Sequence, residues 1–159
     1  MPNFDFVRCF LGPEDKDKVH FNASATQTSL FMHQPGQVEG GQITDQAPMH
    51  SLDGLVAAGR IPRPDFIKLD VQGFELEALR GAGGAITHVK AICLEVSVVR
   101  FAPGVPVVAE VMNFMSQHRL TLYDIVGILR RLDDDSLFQL DMIFVPESSP
   151  LVRHEPWKG

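Results

Sequence analysis

DFIKLDVQGFELEALRG, Asp65 to Gly81, is the stretch that decides the fold. The apolar run Phe66–Val71 reads as a strand that reaches Asp70, and Gly73 breaks it. Phe74–Arg80 then carries helical spacing and stops at Gly81. A second apolar strand, Ala91–Ser97, follows about thirty residues after the first begins, which is the span of a βαβ unit with parallel strands and a right-handed crossover. Both strands are nearly all apolar, as expected when helices cover both faces of a sheet. An acid at the carboxyl end of such a strand lies where open α/β sheets bind ligands.

Downstream, Pro106 opens a helix reaching about His118, with Val107, Val108, Val111, Met112 and Met115 on one face as core packing. Strands at Leu120–Val126 and Leu137–Val145 are separated by only ten residues, too few for a parallel crossover, so they form an antiparallel hairpin. Upstream, Phe4–Leu11 reads as a strand ending at Gly12-Pro13, Glu14–Lys18 as a charged turn, and Val19–Asn22 as a second short strand. Residues 23–49 are polar and rich in Gly and Pro, and read as a long irregular insertion. A short helix over Leu52–Ala58 follows, with Ser51 as its N-cap. The expected organisation is one domain over residues 1–151 and a tail at 152–159.

A chain of 159 residues is long enough to bury a core. Its net charge of −6 argues against nucleic acid, because phosphate binding needs a basic face. The mixed charges of Arg130–Asp135 read as a solvated loop. Two cysteines, Cys9 and Cys93, make no disulfide framework, and Cys93 reads as a buried thiol. No window approaches the ~20 apolar residues of a membrane span, and the N-terminus lacks a leader pattern, so the cytoplasm is the expected compartment.

Asp70 and Glu95 end neighbouring strands and should face one crevice, where a carboxylate can accept hydrogen bonds, hold a cation or act as a base. Against this stands the plainer role of capping a turn or pairing within the sheet. Glu75 and Glu77 lie in the first turn of the helix, where negative charge offsets exposed N–H groups. Gln72 and Gly73 form the turn itself. The glycines of GAGG, Gly81–Gly84, close a helix rather than open one after a strand, so they do not read as a phosphate loop. The six histidines show no metal-ligand spacing, and HExxH, GxSxG and the EF-hand pattern are all missing; no metal is expected.

FIKLDVQGFELEALRGA (Phe66–Ala82), ICLEVS (Ile92–Ser97), LYDIVG (Leu122–Gly127) and FQLDMIFV (Phe138–Val145) together resemble the FkbM-type S-adenosylmethionine-dependent methyltransferases. LGPEDKDKVHFN (Leu11–Asn22) and SLDGL (Ser51–Leu55) extend the resemblance over roughly residues 4 to 151. It implies an α/β class I methyltransferase sheet, Rossmann-like, mostly parallel with an antiparallel C-terminal edge hairpin, in the order 3-2-1-4-5-7-6. It also implies S-adenosylmethionine as cofactor and a small-molecule or sugar hydroxyl as acceptor. Asp70, Glu75 and Glu95 then match the family's acids around the methyl-transfer centre. Asp70, Val71, Gln72 and Gly73 match the turn beside the cofactor's methionine end, and Leu11 and Gly12 its adenine edge. Position 72 is usually acidic in this motif and is Gln72 here.

The family's first strand, with its DxGANxG-like loop, and its second strand find no match, so the expected sheet lacks both. That would leave the edge of the strand ending at Asp70 open, and an open apolar edge invites pairing with another chain, as in a homo-oligomer. Two functions are weighed. One is methyl transfer to a hydroxyl; the other is a catalytically incomplete interaction module, or half of a split enzyme that needs a partner chain.

Overall fold

The computed structural model describes residues 5–23, 28–29 and 43–152. In chain order the elements are β1 (Phe10–Leu11), β2 (Lys16–Ala23), β3 (Thr28–Ser29), β4 (Ile43–His50), α1 (Leu52–Ala57) and β5 (Phe66–Leu69). Then come α2 (Glu75–Arg80), α3 (Gly83–Ile86), β6 (Ala91–Ser97), α4 (Val108–Gln117), β7 (Leu120–Arg130) and β8 (Leu137–Pro146). The strands form two four-stranded mixed sheets, ordered β1-β4-β2-β3 and β5-β6-β8-β7. The fold is α/β.

The second sheet carries the core. β5 and β6 are parallel in the register Leu69↔Leu94, and β8 lies antiparallel between β6 and β7. Strand alternation sorts its side chains. Ile67, Leu69, Ile92, Leu94, Val96, Leu140, Met142 and Phe144 cluster with Leu76 and Leu79 of α2 and with Val111, Phe114 and Met115 of α4. Ile92, Leu94 and Phe144 are wholly buried, each contributing roughly 1.5–3 kcal/mol. The intervening residues, Lys68, Cys93, Glu95, Ser97, Gln139 and Asp141, fall on the opposite face. β5 is therefore half covered: Phe66 and Lys68 are exposed where an all-apolar reading expected helices on both sides.

The βαβ unit, the terminal hairpin and the Ser51 cap stand as the sequence indicates, with Ser51 Oγ accepting from Gly54 N at 3.0 Å. The expectation of a mostly parallel sheet does not hold for the described strands. Only β1–β4 and β5–β6 are parallel, because the tight return through residues 131–136 forces β8 antiparallel to both of its neighbours.

Of the strand expected at Phe4–Leu11, only Phe10–Leu11 pairs among the described residues, against Met49 and His50 of β4. The expected irregular insertion at residues 23–49 ends in a strand, Ile43–His50, held by antiparallel pairing to β2 rather than by any apolar alternation of its own. Pro48, which has no N–H to give a ladder, sits opposite the register shift between Lys16 and Val19. Positions 24–27 and 30–42 of that expected insertion lie outside the described residues, as does most of the tail. Among the described residues no helix is long and apolar enough to cross a membrane.

The sheets meet at Gly81. Its φ of −82° is ordinary, so it does not end α2 by a left-handed turn. What it needs is space: a Cβ there would lie 2.0 Å from the carbonyl oxygen of Gly12. The adjoining GAGG run opens α3, a helix the sequence reading did not anticipate. Its first amides are occupied from within, Gly84 N and Ala85 N donating to the Asp53 carboxylate at 2.6 and 2.8 Å.

Candidate functional site

β5 ends at Leu69, so Asp70 stands just past the ladder, one step along from Leu69↔Leu94 and hence beside Glu95. The chain then turns back through two left-handed residues, Gln72 (φ 53°) and Gly73 (φ 96°). Gly73 is required twice over, because a Cβ would also lie 2.8 Å from Val105. Gln72 has no such exemption and stores on the order of 1 kcal/mol of backbone strain. That strain is held by what its side chain and neighbours do.

Glu75 laces the turn from inside. Only 2% exposed, it accepts from Val71 N and Gly73 N, both at 3.1 Å through Oε1. Burial pushes its carboxyl above the usual carboxylate range, against the lowering effect of these amides; Asp70 nearby adds to the rise. An acid whose folded-state affinity for its proton is raised contributes stability fully at low pH and loses it as pH rises through the folded value. The Tm of Glu75→Gln relative to wild type should therefore climb as pH goes from about 4 to about 7. Thermal melts across that series check this, and a difference flat with pH would refute it.

Gln72 Nε2 bridges the two strand-end acids, donating to Asp70 Oδ1 at 3.0 Å and Glu95 Oε2 at 3.4 Å. Glu95 Oε2 also accepts from Gln139 Nε2 at 2.9 Å, and Lys68 Nζ donates to Asp70 Oδ2 at 3.3 Å. Asp141 stands opposite Glu95 in the β6–β8 ladder, and its carboxylate occupies the space a Cβ on Gly127 would need. Burial raises the Glu95 carboxyl, and the negative charges of Asp70, Asp141 and Glu75 raise it further. The result is an exposed carboxylate, Asp70, beside a half-buried one, Glu95, whose affinity for a proton is raised, on one polar sheet face. Such a pair attracts cationic groups and can orient and deprotonate a hydroxyl.

Asp70, Val71, Gln72, Gly73, Glu75 and Glu95 are thus brought together. Leu11 and Gly12 are not: Gly12 bonds to His50 O and abuts Gly81, at the far end of α2, roughly 9 Å of helix away from the turn. Sequence reasoning did not single out Lys68, Gln139 or Asp141. Lys68 was findable, since it shares a face with Asp70 by strand alternation. Gln139 and Asp141 become visible only with the register of β8 on β6.

Residues 3–122 match the family model of the Methyltransferase FkbM domain. A stretch of 44 residues is 41% identical to the hexuronic acid methyltransferase AglP of Haloferax volcanii, covering 28% of this chain and 18% of that protein. No solved structure matches the chain. With three quarters of its length matched by the family model, the chain belongs to the FkbM methyltransferase domain family.

Proposed function

We propose that the chain is an S-adenosylmethionine-dependent methyltransferase acting on a hydroxyl oxygen of a small molecule or sugar. The observation that carries this is the Asp70–Gln72–Glu95 row at the ends of two adjacent parallel strands. The order β5-β6-β8-β7 supports it, corresponding to strands 4-5-7-6 of the class I sheet. The likeness to AglP makes hexuronic acid glycosides the first acceptors to try.

The turn fits the cofactor's methionine end and not its adenine end. The amides of Val71 and Gly73 are already taken by Glu75, so what the turn offers is negative charge, suited to an ammonium or sulfonium group. Leu11 and Gly12 do not join it. When bound, the cofactor supplies the electrophilic methyl carbon. The chain's residues do the rest: Asp70 receives the acceptor's hydroxyl proton, while Glu95, fixed by Gln72 and Gln139, orients that hydroxyl. Glu75 is the positioning residue that keeps the turn closed.

A second reading, half of a split methyltransferase or a non-catalytic module, is favoured by one observation. The outer edge of β5 has no strand partner among the described residues. Calorimetric titration with S-adenosylhomocysteine, with and without Mg²⁺, separates the two. Micromolar binding that falls at least about tenfold in Asp70→Ala supports the first. Absence of binding by a chain shown to be folded overturns independent catalysis in favour of the second.

A further inference from the structure

β6 carries Glu95, and the chain that leaves it soon returns: Val107 forms a parallel bridge with Ser97, closing residues 98–106 into a loop at the carboxyl end of the strand. Most of this loop is open to solvent, Val99, Arg100 and Phe101 included, yet Val105 is wholly buried. A loop has little packing of its own, so a side chain it buries must be held in place by specific bonds.

Arg100 supplies them. Its Nη1 donates across the loop to the carbonyl of Val105, and its Nη2 donates to both Glu110 oxygens, at 2.8 and 2.9 Å. Glu110 Oε2 also accepts from Val107 N at 2.9 Å. One guanidinium thus ties the loop to the first turn of α4, and one carboxylate ties that turn to the loop's end. The two side chains are 43% and 48% exposed, and an exposed pair of this kind adds little to stability. What it fixes is the course of the backbone that carries Val105.

Val105 bears on the turn beside Asp70. Its two methyls lie 2.8 and 3.2 Å from where a Cβ on Gly73 would stand, so they fill the space next to the left-handed pair Gln72–Gly73. Glu75 grips the same turn through the amides of Val71 and Gly73. The loop therefore starts from the strand that carries Glu95 and presses on the turn that presents Asp70.

We infer that Arg100, Val105 and Glu110 are positioning residues for methyl transfer: the Arg100–Glu110 clamp seats Val105 against Gly73 and so fixes Asp70 relative to Glu95. This rests on the reading of those two carboxylates as the transfer site.

Two readouts test it, one of them independent of catalysis. Hydrogen exchange followed by NMR reads the Val71 and Gly73 amides, which donate to Glu75. In Val105→Ala both should exchange at least about tenfold faster, measured relative to the amides of the interior strand β6. Arg100→Met, which keeps an apolar stem and loses the donors, should act in the same direction. The second readout is transfer to a hexuronic acid glycoside, whose kcat should fall about 10- to 100-fold in Val105→Ala.

Val105→Thr is the conservative variant that separates position from stability. It keeps the branched shape against Gly73 but buries a hydroxyl, so it should melt below wild type and still hold kcat within about threefold. A valine with a merely structural role would lose activity in both variants as stability falls. A kcat for Val105→Thr as low as that of Val105→Ala overturns the proposal. So do Val71 and Gly73 amides that quicken no more than those of β6. A wild type that transfers no methyl overturns the reading of the site instead, and the exchange rates still decide whether the clamp sets the turn.

Discussion

Asp70→Asn is expected to lower methyl transfer by about 100- to 10,000-fold while leaving the fold intact. Asparagine keeps the size of the side chain and one acceptor oxygen, enough for one of the exposed contacts from Gln72 and Lys68, while the other donor turns to solvent. What it cannot do is take a proton from an acceptor hydroxyl or attract a cationic group by charge. Because Asp70 is exposed, its stability should change by no more than about 0.5 kcal/mol. Transfer of labelled methyl groups to hexuronic acid glycosides, with a urea titration alongside, reads both quantities. A rate within a fewfold of wild type would remove Asp70 from the chemistry and shift attention to Glu95.

The second large effect is on stability. Gly81→Ala places a methyl group 2.0 Å from a backbone carbonyl, that of Gly12, which cannot rotate aside as a side chain would. One strand of the first sheet or the end of α2 must move, and overpacking of this kind costs about 1–3 kcal/mol, here at the upper end. Gly83→Ala is the control. Its Cβ meets nothing closer than Asp53 Oδ2 at 3.9 Å, so stability should stay within about 0.5 kcal/mol. Chemical denaturation of the two variants distinguishes a requirement for space from one for backbone freedom; equal losses would refute the close-approach account.

Much of the candidate site was legible because strand periodicity is local. Phe66–Leu69 running into Asp70 and Ala91–Ser97 carrying Glu95 gave the parallel pair, and ten residues between two apolar runs gave the hairpin. What escaped depended on partners distant in sequence. Ile43–His50 has no pattern of a strand and is one only because β2 lies beside it. Gln139 and Asp141 join the site through a register that no single strand encodes. Glu75 could be placed at a helix start, but its buried bonds to Val71 and Gly73 required the turn to be seen closed. Gly81 shows the same limit, since a helix-stop pattern correctly located the glycine while its reason lay in Gly12, across the sheet boundary.

α2 is a strut of barely two turns with a different duty at each end. Its first residue, Glu75, stitches the turn that presents Asp70, and its C-cap, Gly81, bears directly on the backbone of the first sheet. With no compressible side chain at that second bearing, a displacement of β1 has little to absorb it and is passed along the helix to the turn. The two sheets are thereby mechanically geared, and whatever seats or unseats the first sheet also sets the aim of the carboxylate at the edge of the second.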